Sequence, residues 1–245
     1  MPPIVKDNLF AVNQIQQDFV FTAQVAQVFD DMLDRSIPFY QEVINGTAKL
    51  LDIFLHEQDT VIDLGCATGT TLLQLAQLLP DKGLHFTGID NSAPMLHKAR
   101  CKAELLAPPP QISFLMQDII DLDQANTGAF LLNYTLQFIR PLKRKEFIQR
   151  LFANLRPGGV LILSEKKISP DPLLNRKYID IYHQFKRERG YSELEIANKR
   201  EALENILIPF SIAENQELLV GAGFTSVEIF FQWFNFVSFI AIKPE

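Results

Sequence analysis

The sequence predicts an α/β fold in which helices pack on both faces of a mostly parallel β-sheet. Five short apolar runs, rich in β-branched residues, alternate with helical segments between residues 60 and 164. Such alternation is typical of parallel strands that are joined by crossover helices. Two further β-rich runs, at 226–231 and 234–242, end the chain and predict an antiparallel hairpin at the sheet edge. We therefore expect a seven-stranded sheet.

Helical segments precede the first strand. The chain up to about residue 20 predicts an irregular arm. Apolar residues three and four positions apart between 24 and 55, among them Val25, Val28 and Met32, predict two amphipathic helices. Pro38 interrupts the pattern, because proline lacks the N–H group that a helix interior uses. We expect these helices to cover a ligand cleft.

The core elements follow from apolar runs and stop signals. We expect strands at 60–64, 84–89, 112–116, 129–134 and 160–164, and helices at 68–79, 141–155, 171–207 and 213–222. A further helix begins near Asn91 or Ser92, with Pro94 in its first turn. The segment 108–110 closes that unit, and 156–159, Arg-Pro-Gly-Gly, predicts a helix stop and a tight turn.

Composition restricts the classes of function. The 245 residues are 47% hydrophobic and 21% charged, as in ordinary globular proteins, and the net charge of −6 disfavours direct binding of nucleic acid. We expect no membrane span and no secretion signal, since neither an apolar run of about 18 residues nor a basic leader is present. Cys66 and Cys101 fit a reducing cytoplasm. The four histidines are scattered along the chain, so no metal site is expected.

The segment TVIDLGCATGT, from Thr60 to Thr70, combines a buried strand, a turn of small residues and a helix start. Such a turn brings backbone N–H groups and the positive end of a helix close to a nucleotide-like ligand. Asp63, Gly65 and Gly69 form the pattern D-x-G-x-x-x-G, which differs from the G-x-G-x-x-G fingerprint of nicotinamide dinucleotide enzymes. A purely structural turn is the alternative.

This pattern resembles the first motif of the class I S-adenosylmethionine-dependent methyltransferases, whose fold is Rossmann-like. Asp90 ends the second strand, where a carboxylate can accept both ribose hydroxyls, although a helix N-cap is the alternative role. Asp118 and Ile119 suit the adenine amino group and ring. Asn133 ends the fourth strand, where this superfamily often places residues near the reacting sulfonium.

We expect one S-adenosylmethionine-binding domain over residues 1–245. Its first parts are an N-terminal arm and helical cover (1–55) and a nucleotide-binding core (56–170). A helical lid or dimerisation insertion (171–210) and a C-terminal helix with the hairpin (211–245) follow.

Further stretches resemble one subfamily, the carboxy-S-adenosyl-L-methionine synthases. With the core they cover nearly the whole chain: VAQVFDDMLDRSIPFY (25–40), DNSAPML (90–96), NYTLQFI (133–139), LRPGGVLILSEK (155–166), FKRERGYSELEIANKREALENIL (185–207) and FQWFNFVSFIAIK (231–243). The segment GYSELEI is specific, because the general methyltransferase fold does not require it. The glycine loop reads GCATG, whereas GCSLG or a similar loop is expected in the better-known bacterial members.

The resemblance implies conversion of S-adenosyl-L-methionine and prephenate to carboxy-S-adenosyl-L-methionine and phenylpyruvate. It also implies a tRNA carboxymethyltransferase as the partner enzyme that uses this product on a wobble uridine, and we expect a homodimer. The ligand contacts implied position by position are Tyr40, Gly65, Cys66, Ala67, Asp90, Asn91, Asp118, Ile119, Asn133 and Arg200.

Arg200 and Tyr40 are the residues expected to act on the carboxyl group. A guanidinium can bind a carboxylate beside the sulfonium through two parallel hydrogen bonds, and a phenol can add a third. Charge pattern alone favours a solvated helix face for Arg200, and Tyr40 could equally be a half-buried core aromatic. Cys66 is expected to pack or to offer its backbone rather than to act as a nucleophile.

Two other functions stay open at the level of sequence. An ordinary methyltransferase acting on a small molecule needs mainly positioning and an acceptor pocket. A non-catalytic cofactor-binding subunit of a tRNA-modifying complex is the third hypothesis. The intact set of Asp63, Asp90 and Asp118 argues against lost binding of the cofactor.

Overall fold

A computed structural model describes residues 5–11, 19–107 and 111–245. Within them the elements in chain order are α1 (Ala23–Ser36), α2 (Tyr40–Phe54), β1 (Thr60–Leu64), α3 (Thr70–Leu78), β2 (His85–Asp90), α4 (Ala93–Glu104), β3 (Ile112–Met116), β4 (Thr127–Asn133), α5 (Pro141–Asn154), β5 (Leu155–Lys166), α6 (Pro172–Glu188), α7 (Glu193–Leu203), α8 (Ile212–Val220), β6 (Ser226–Trp233) and β7 (Phe236–Ile242). The expected segment 108–110 and most of the N-terminal arm lie outside the described residues.

The strands form one sheet in the order β3-β2-β1-β4-β5-β7-β6. Strands β1 to β5 run parallel, β7 pairs antiparallel with β5, and β6 pairs antiparallel with β7 at the edge. The seven-stranded, mostly parallel sheet with a C-terminal hairpin is therefore confirmed. Connections leave β1 for neighbours on both sides, so a crevice opens at the carboxyl ends of β1 and β4, where ligands bind in such sheets.

Helices cover both faces of the sheet, as expected. Leu51 of α2 and Leu72 of α3 pack with Val61 of β1 on one face. Phe147 of α5 and Leu219 of α8 pack on the other face, in the cluster that contains Ile62. Consecutive strand residues point to opposite faces, so both sides of β1 are apolar and buried. This double burial fixes the strand that carries the glycine turn.

A third apolar cluster lies above the carboxyl edge of the sheet. It joins Phe10 of the N-terminal arm to α1, to Met95 of α4 and to Ala202 of α7. Beside it, a buried polar network connects the arm with the helical lid. Tyr191 donates a hydrogen bond to Asp7 at 2.6 Å, and Lys199 donates one to Ser36 at 2.8 Å. Apolar and polar contacts therefore connect the N-terminal arm and α1 with the helical lid.

Two expectations about chain breaks are corrected. The single helical block at 171–207 is two helices, α6 and α7, and Gly190 between them has a φ of +85°. The helix stop expected at 156–159 is confirmed by the end of α5 at Asn154, but the turn is not a separate connection, because these residues belong to β5. Thr127 pairs with Leu155, and the register then shifts before pairing resumes at Val160. The glycines therefore form a bulge inside a longer strand.

No helix in the described ranges is both long and apolar enough to cross a membrane.

Candidate active site

A cavity of about 500 Å³ opens at the carboxyl edge of the sheet, between the cover helices and the lid. Its wall includes residues of α1, α2, α6 and α7 as well as the strand ends, so the N-terminal helices form part of the wall. The sequence-predicted site residues that line it are Tyr40, Asp63, Gly65, Cys66, Ala67, Asp90, Asn91, Asp118, Ile119 and Asn133. Gly69 and Arg200 do not line it.

The glycine turn has a backbone conformation and close neighbours that require glycine at its first position. Gly65 has a φ of +78°, and a Cβ there would lie 2.7 Å from the side chain of Thr135. The amides of Gly65 and Cys66 both donate to the carbonyl of Ile89, at 2.8 and 3.0 Å. Gly69 precedes α3 with a φ of +72°, and a Cβ there would lie 3.0 Å from the ring of Phe114. The turn is thus fixed before any ligand is bound.

Asp63 presents an unsatisfied carboxylate to the cavity. It is 2% exposed, and its Oδ1 atom has no hydrogen-bond partner in the part of the chain that the structure describes. Burial and the nearby charge of Asp90 raise its pKa to about 7. A buried carboxylate without a partner is costly. A ligand that carries positive charge, as the ammonium and sulfonium groups of S-adenosylmethionine do, would offset that cost.

Asp90 is oriented by the backbone at the end of β2. Its two oxygens accept hydrogen bonds from the amides of Ala67 at 2.9 Å and Ser92 at 2.8 Å. Burial raises its pKa despite these bonds. Ser92 is the N-cap of α4, so Asp90 is not needed in that role. Each carboxylate oxygen keeps a further lone pair for a ribose hydroxyl.

The third and fourth strands complete this half of the wall. Asp118 caps a short 3₁₀ turn and accepts a hydrogen bond from the amide of Ile120 at 3.0 Å. Ile119 follows it in the lining. Asn133 is the last residue of β4, beside Ser164 of β5. Polar groups from four successive strand ends therefore meet one cavity.

Tyr40 lies where the cover meets the turn. Its hydroxyl is 2.9 Å from Thr71 Oγ1, and its ring centre is 6.3 Å from that of Tyr134. Burial raises the pKa of both phenols. The hydroxyl of Tyr134 is buried and has no partner among the described residues. Both tyrosines can therefore offer neutral O–H donors to a ligand.

Cys66 is unsuited to nucleophilic chemistry. Burial, with added effects of Asp63 and Asp90, raises the pKa of its thiol, whereas a nucleophilic cysteine needs the thiolate. Within the described ranges, no group of three or more His, Cys, Asp or Glu side chains is placed to hold a metal ion.

A polar network behind the glycine turn was not anticipated from the sequence. Thr68 donates to Asp30 of α1 at 2.6 Å, and Lys102 of α4 contacts the same carboxylate at 3.0 Å. Burial opposes ionisation of Asp30, but Lys102 and the bond from Thr68 outweigh it, so its pKa is lowered. Thr68 is one of the two residues by which GCATG departs from the expected loop. Here its hydroxyl attaches the loop to the cover.

The lid presents lysine rather than arginine to this cavity. Arg200 is on the exposed side of α7, whereas its neighbour Lys199 lines the cavity together with Lys166. Lys166 is the last residue of β5. The rule that selected Asp63, Asp90 and Asn133, a polar residue at a strand end, would also have selected Lys166.

Fold and site together define a class of protein. The Rossmann-like S-adenosylmethionine-dependent transferases combine a doubly wound sheet with a D-x-G-x-x-x-G turn and polar residues at the strand ends. The chain has all three, and the buried acid at β1 has an Oδ1 atom without a partner among the described residues. Residues 61–159 match the family model described as a methyltransferase domain.

Relatives that match nearly the whole chain identify the family within this class. The chain is 58% identical over 240 residues to the carboxy-S-adenosyl-L-methionine synthase of Desulfotalea psychrophila, covering 98% of each chain. It is 46% identical over 229 residues to the protein of the same name from Nautilia profundicola, covering 94% of this chain and 96% of that one. The chain belongs to the carboxy-S-adenosyl-L-methionine synthase family, and the resemblance drawn from the sequence is confirmed.

Solved structures share the fold at much lower identity. Human N-acetylserotonin methyltransferase in complex with SAM superposes with a TM-score of 0.63 at 18% identity, over 91% of this chain, which spans only 56% of that longer protein. Magnesium protoporphyrin IX methyltransferase from Synechocystis, with bound SAH, gives a TM-score of 0.62 at 19% identity over 87% of each chain. These structures confirm the Rossmann-like methyltransferase fold.

Proposed function

We propose that the protein converts S-adenosyl-L-methionine and prephenate to carboxy-S-adenosyl-L-methionine, phenylpyruvate and water. The observation that carries this proposal is the 58% identity to a carboxy-S-adenosyl-L-methionine synthase over 98% of both chains. The cavity geometry supports it, because the polar ends of β1 to β3 and an aromatic wall of Tyr134, Tyr182 and Phe236 line one cavity.

The adenosyl half lies at β1 to β3. Asp90 is placed for the ribose hydroxyls, Asp118 and Ile119 for the adenine, and Asp63 for the positive charge of the amino acid part. Asn133 at the end of β4 then faces the methyl group. Asp63 is held by burial, and Asp90 and Asp118 are held by backbone amides, which lowers the cost of ordering them on binding.

The reaction moves one carboxyl group. The bond between the prephenate ring and its carboxyl carbon breaks, and a new bond joins that carbon to the methyl carbon of S-adenosylmethionine. The ring becomes aromatic as hydroxide leaves, and the hydroxide takes a methyl proton to form water. The aromatic wall of Tyr134, Tyr182 and Phe236 supports this step by excluding bulk water.

Arg200 fits this scheme if it comes from a second copy of the chain. It is exposed and lies outside the cavity of its own subunit. An aromatic patch, defined by Phe39, Tyr178 and Phe234 around Trp233, supports a homodimer. Phe39 and Phe234 are 46% and 38% exposed, and rings of the patch lie 5.0 to 6.3 Å apart. We assign Arg200 to the carboxylate of the neighbouring subunit's product.

The product would serve as the carboxymethyl donor of a tRNA carboxymethyltransferase that modifies the wobble uridine. This assignment places the protein in the cytoplasm as a supplier of a small molecule. The net charge of −6 fits that role, since tRNA itself need not be bound.

Mass spectrometry of the reaction mixture tests the proposal. Purified protein is incubated with S-adenosylmethionine and prephenate, and a species heavier than the cofactor by one carboxyl group is expected, with phenylpyruvate in equal amount. Omission of prephenate is the control and should leave the cofactor unchanged. Protein that binds S-adenosylmethionine but yields only S-adenosylhomocysteine and a methylated acceptor would be an ordinary methyltransferase.

A further inference from the structure

Positive charge without a direct ion-pair partner among the described residues lies at the end of the cavity beside β5. Lys166 lines the cavity, and its ammonium lies 4.8 Å from the ring centre of Tyr182. Lys186 of α6 lies 4.6 Å from the same ring centre. Neither lysine forms an ion pair with a carboxylate in the part of the chain that the structure describes. Two ammonium groups therefore share one aromatic ring as their neighbour.

Nearby carboxylates compensate these lysines only in part, since Glu193 acts on Lys186 from a distance and pairs directly with Arg187. Glu165 precedes Lys166 on the strand, but it accepts a hydrogen bond from the amide of Leu136 at 3.0 Å, in line with the opposite orientation of successive strand residues. Lys199, by contrast, has Asp7 at 3.7 Å. Lys186 is only 4% exposed, and buried charges are normally paired. This local positive charge contrasts with the net charge of −6 of the whole chain.

The titration of neighbouring groups reflects this local field. Burial lowers the pKa of Lys166 to about 8. Burial and the charges of Lys166, Lys199 and Arg200 lower the pKa of Lys186 to about 7, although the charge of Glu193 acts in the opposite direction. Burial, Lys186, Arg200, Lys166 and Arg187 lower that of His183 to about 4. An anion placed here would stabilise the charged lysines and relieve their mutual repulsion.

The sheet order places this charge on the side away from the adenosyl group. Strands β1 to β3 supply the adenosyl half, and Asn133 ends β4. Asn133 pairs with Ser164 on β5, and Lys166 follows two residues further along that strand. The methyl group therefore has the adenosine on one side and Lys166 on the other. Tyr134 and Phe236 line the space between.

We propose that Lys166, with Lys186 behind it and Tyr182 between them, forms a carboxylate subsite for the second substrate. The inference rests on the proposed function, in which that substrate has two carboxylates. The ring carboxylate is transferred and must reach the methyl group near Asn133. The carboxylate of the 2-oxo side chain is retained in phenylpyruvate, and it is this group that Lys166 binds.

Binding of phenylpyruvate to protein loaded with S-adenosylhomocysteine tests the subsite directly. Isothermal titration calorimetry on the Lys166→Met and Lys166→Gln variants should show affinity for phenylpyruvate reduced by about ten- to a hundredfold, the effect of losing a charge-assisted hydrogen bond. Affinity for S-adenosylhomocysteine should stay within about twofold of wild type, since Lys166 lies away from the adenosyl half.

Two matched controls accompany this test. Lys167→Met removes the adjacent lysine, which does not line the cavity, and should leave both affinities unchanged. Phenylacetone, which lacks the carboxylate, should bind wild type and Lys166→Met equally. Wild-type affinity for phenylpyruvate in both Lys166 variants would overturn the inference, and so would an equal loss for both ligands.

The product assay separates this inference from the proposed function. If wild type binds phenylpyruvate through Lys166 but forms no carboxylated cofactor, the proposed reaction is wrong and the subsite stands. If the carboxylated cofactor forms and the Lys166 variants bind phenylpyruvate normally, the reaction stands and the subsite is wrong.

Discussion

Individual carboxylates in this site are buried in the ligand-free protein, and their burial lowers the stability of the folded state. Asp63 is the clearest case, because its Oδ1 atom has no partner among the described residues and its pKa is about 7 against an ordinary value of 3.8. Because the folded state holds this proton more tightly than the unfolded state, stability falls as the pH rises from about 4 through about 7. The same carboxylate is then available to a cationic ligand. The charge of Asp63 therefore favours binding of a cationic ligand and disfavours folding of the ligand-free protein.

Asp63→Asn should therefore raise stability without ligand and weaken binding with it. At pH 8 the ligand-free variant should unfold at a higher temperature than wild type, and this gain should shrink toward pH 4, where both side chains are neutral. Affinity for S-adenosylmethionine should fall by about ten- to a hundredfold, as expected for a lost charge-assisted hydrogen bond. Thermal unfolding across pH and calorimetric titration measure the two effects.

Asp121→Asn is the control for this prediction. Asp121 is exposed and outside the cavity lining, so both measurements should match wild type. A ligand-free Asp63→Asn protein that is less stable than wild type at pH 8 would contradict the account of Asp63 as a strained carboxylate.

Between elements, the glycine turn depends on side chains from α1 and α4. Thr68 and Thr70 both donate to Asp30, at 2.6 and 3.0 Å, and Lys98 and Lys102 pair with the same carboxylate. The network connects the cover helix, the turn and the helix after β2. It therefore sets the position of Ala67, whose amide contacts Asp90.

Thr68→Val keeps the shape of the side chain and removes only its hydroxyl. We expect a loss of about 1 to 2 kcal/mol in the free energy of unfolding, since the hydrogen bond reaches a charged acceptor. A severalfold weaker affinity for S-adenosylmethionine should accompany it, because the turn is less well positioned. Chemical denaturation and calorimetric titration are the measurements.

Thr47→Val provides the comparison. The hydroxyl of Thr47 is buried without a partner among the described residues, so its removal should be neutral or slightly stabilising and should leave binding unchanged. Equal effects of the two substitutions would mean that the Asp30 network does not position the turn.

Much of the fold followed from the sequence because its signals are local. Apolar runs and the pattern D-x-G-x-x-x-G located the strands, and the strand-end rule placed Asp63, Asp90 and Asn133 in one cavity. Contacts between residues far apart in the sequence could not be predicted from such local signals. The bulge in β5 depends on pairing with β4, and the bond from Thr68 to Asp30 joins residues 38 positions apart. Arg200 and Lys199 are adjacent in sequence, and only the orientation of α7 decides which of them faces the cavity.

At the scale of the whole molecule, the proposed homodimer leads to a complementation prediction. The Arg200→Ala variant lacks the arginine but retains the cavity residues. The Asp63→Asn variant lacks a cavity residue but retains Arg200. If Arg200 acts across the interface, co-expression of the two variants should restore about one quarter of wild-type activity. Half of the dimers are then mixed, and each mixed dimer has one complete site. Product formation per subunit measures this.

The separately purified variants set the baseline for that experiment. Activity no higher than the average of the two variants would mean that Arg200 does not serve the neighbouring site. Phe234→Ser in the aromatic patch should weaken the dimer, which size-exclusion chromatography with light scattering detects.

The network that joins Asp7 to Tyr191 and Lys199 also has a kinetic consequence. Asp7 is fully buried, and Lys199 lies in the wall of the cavity, so widening the cavity on this side requires the arm and the lid to separate. Opening breaks several hydrogen bonds at once, and motions of this kind commonly limit release rather than chemistry. We therefore expect a long residence time for the product, which would reach the next enzyme without prolonged exposure to water.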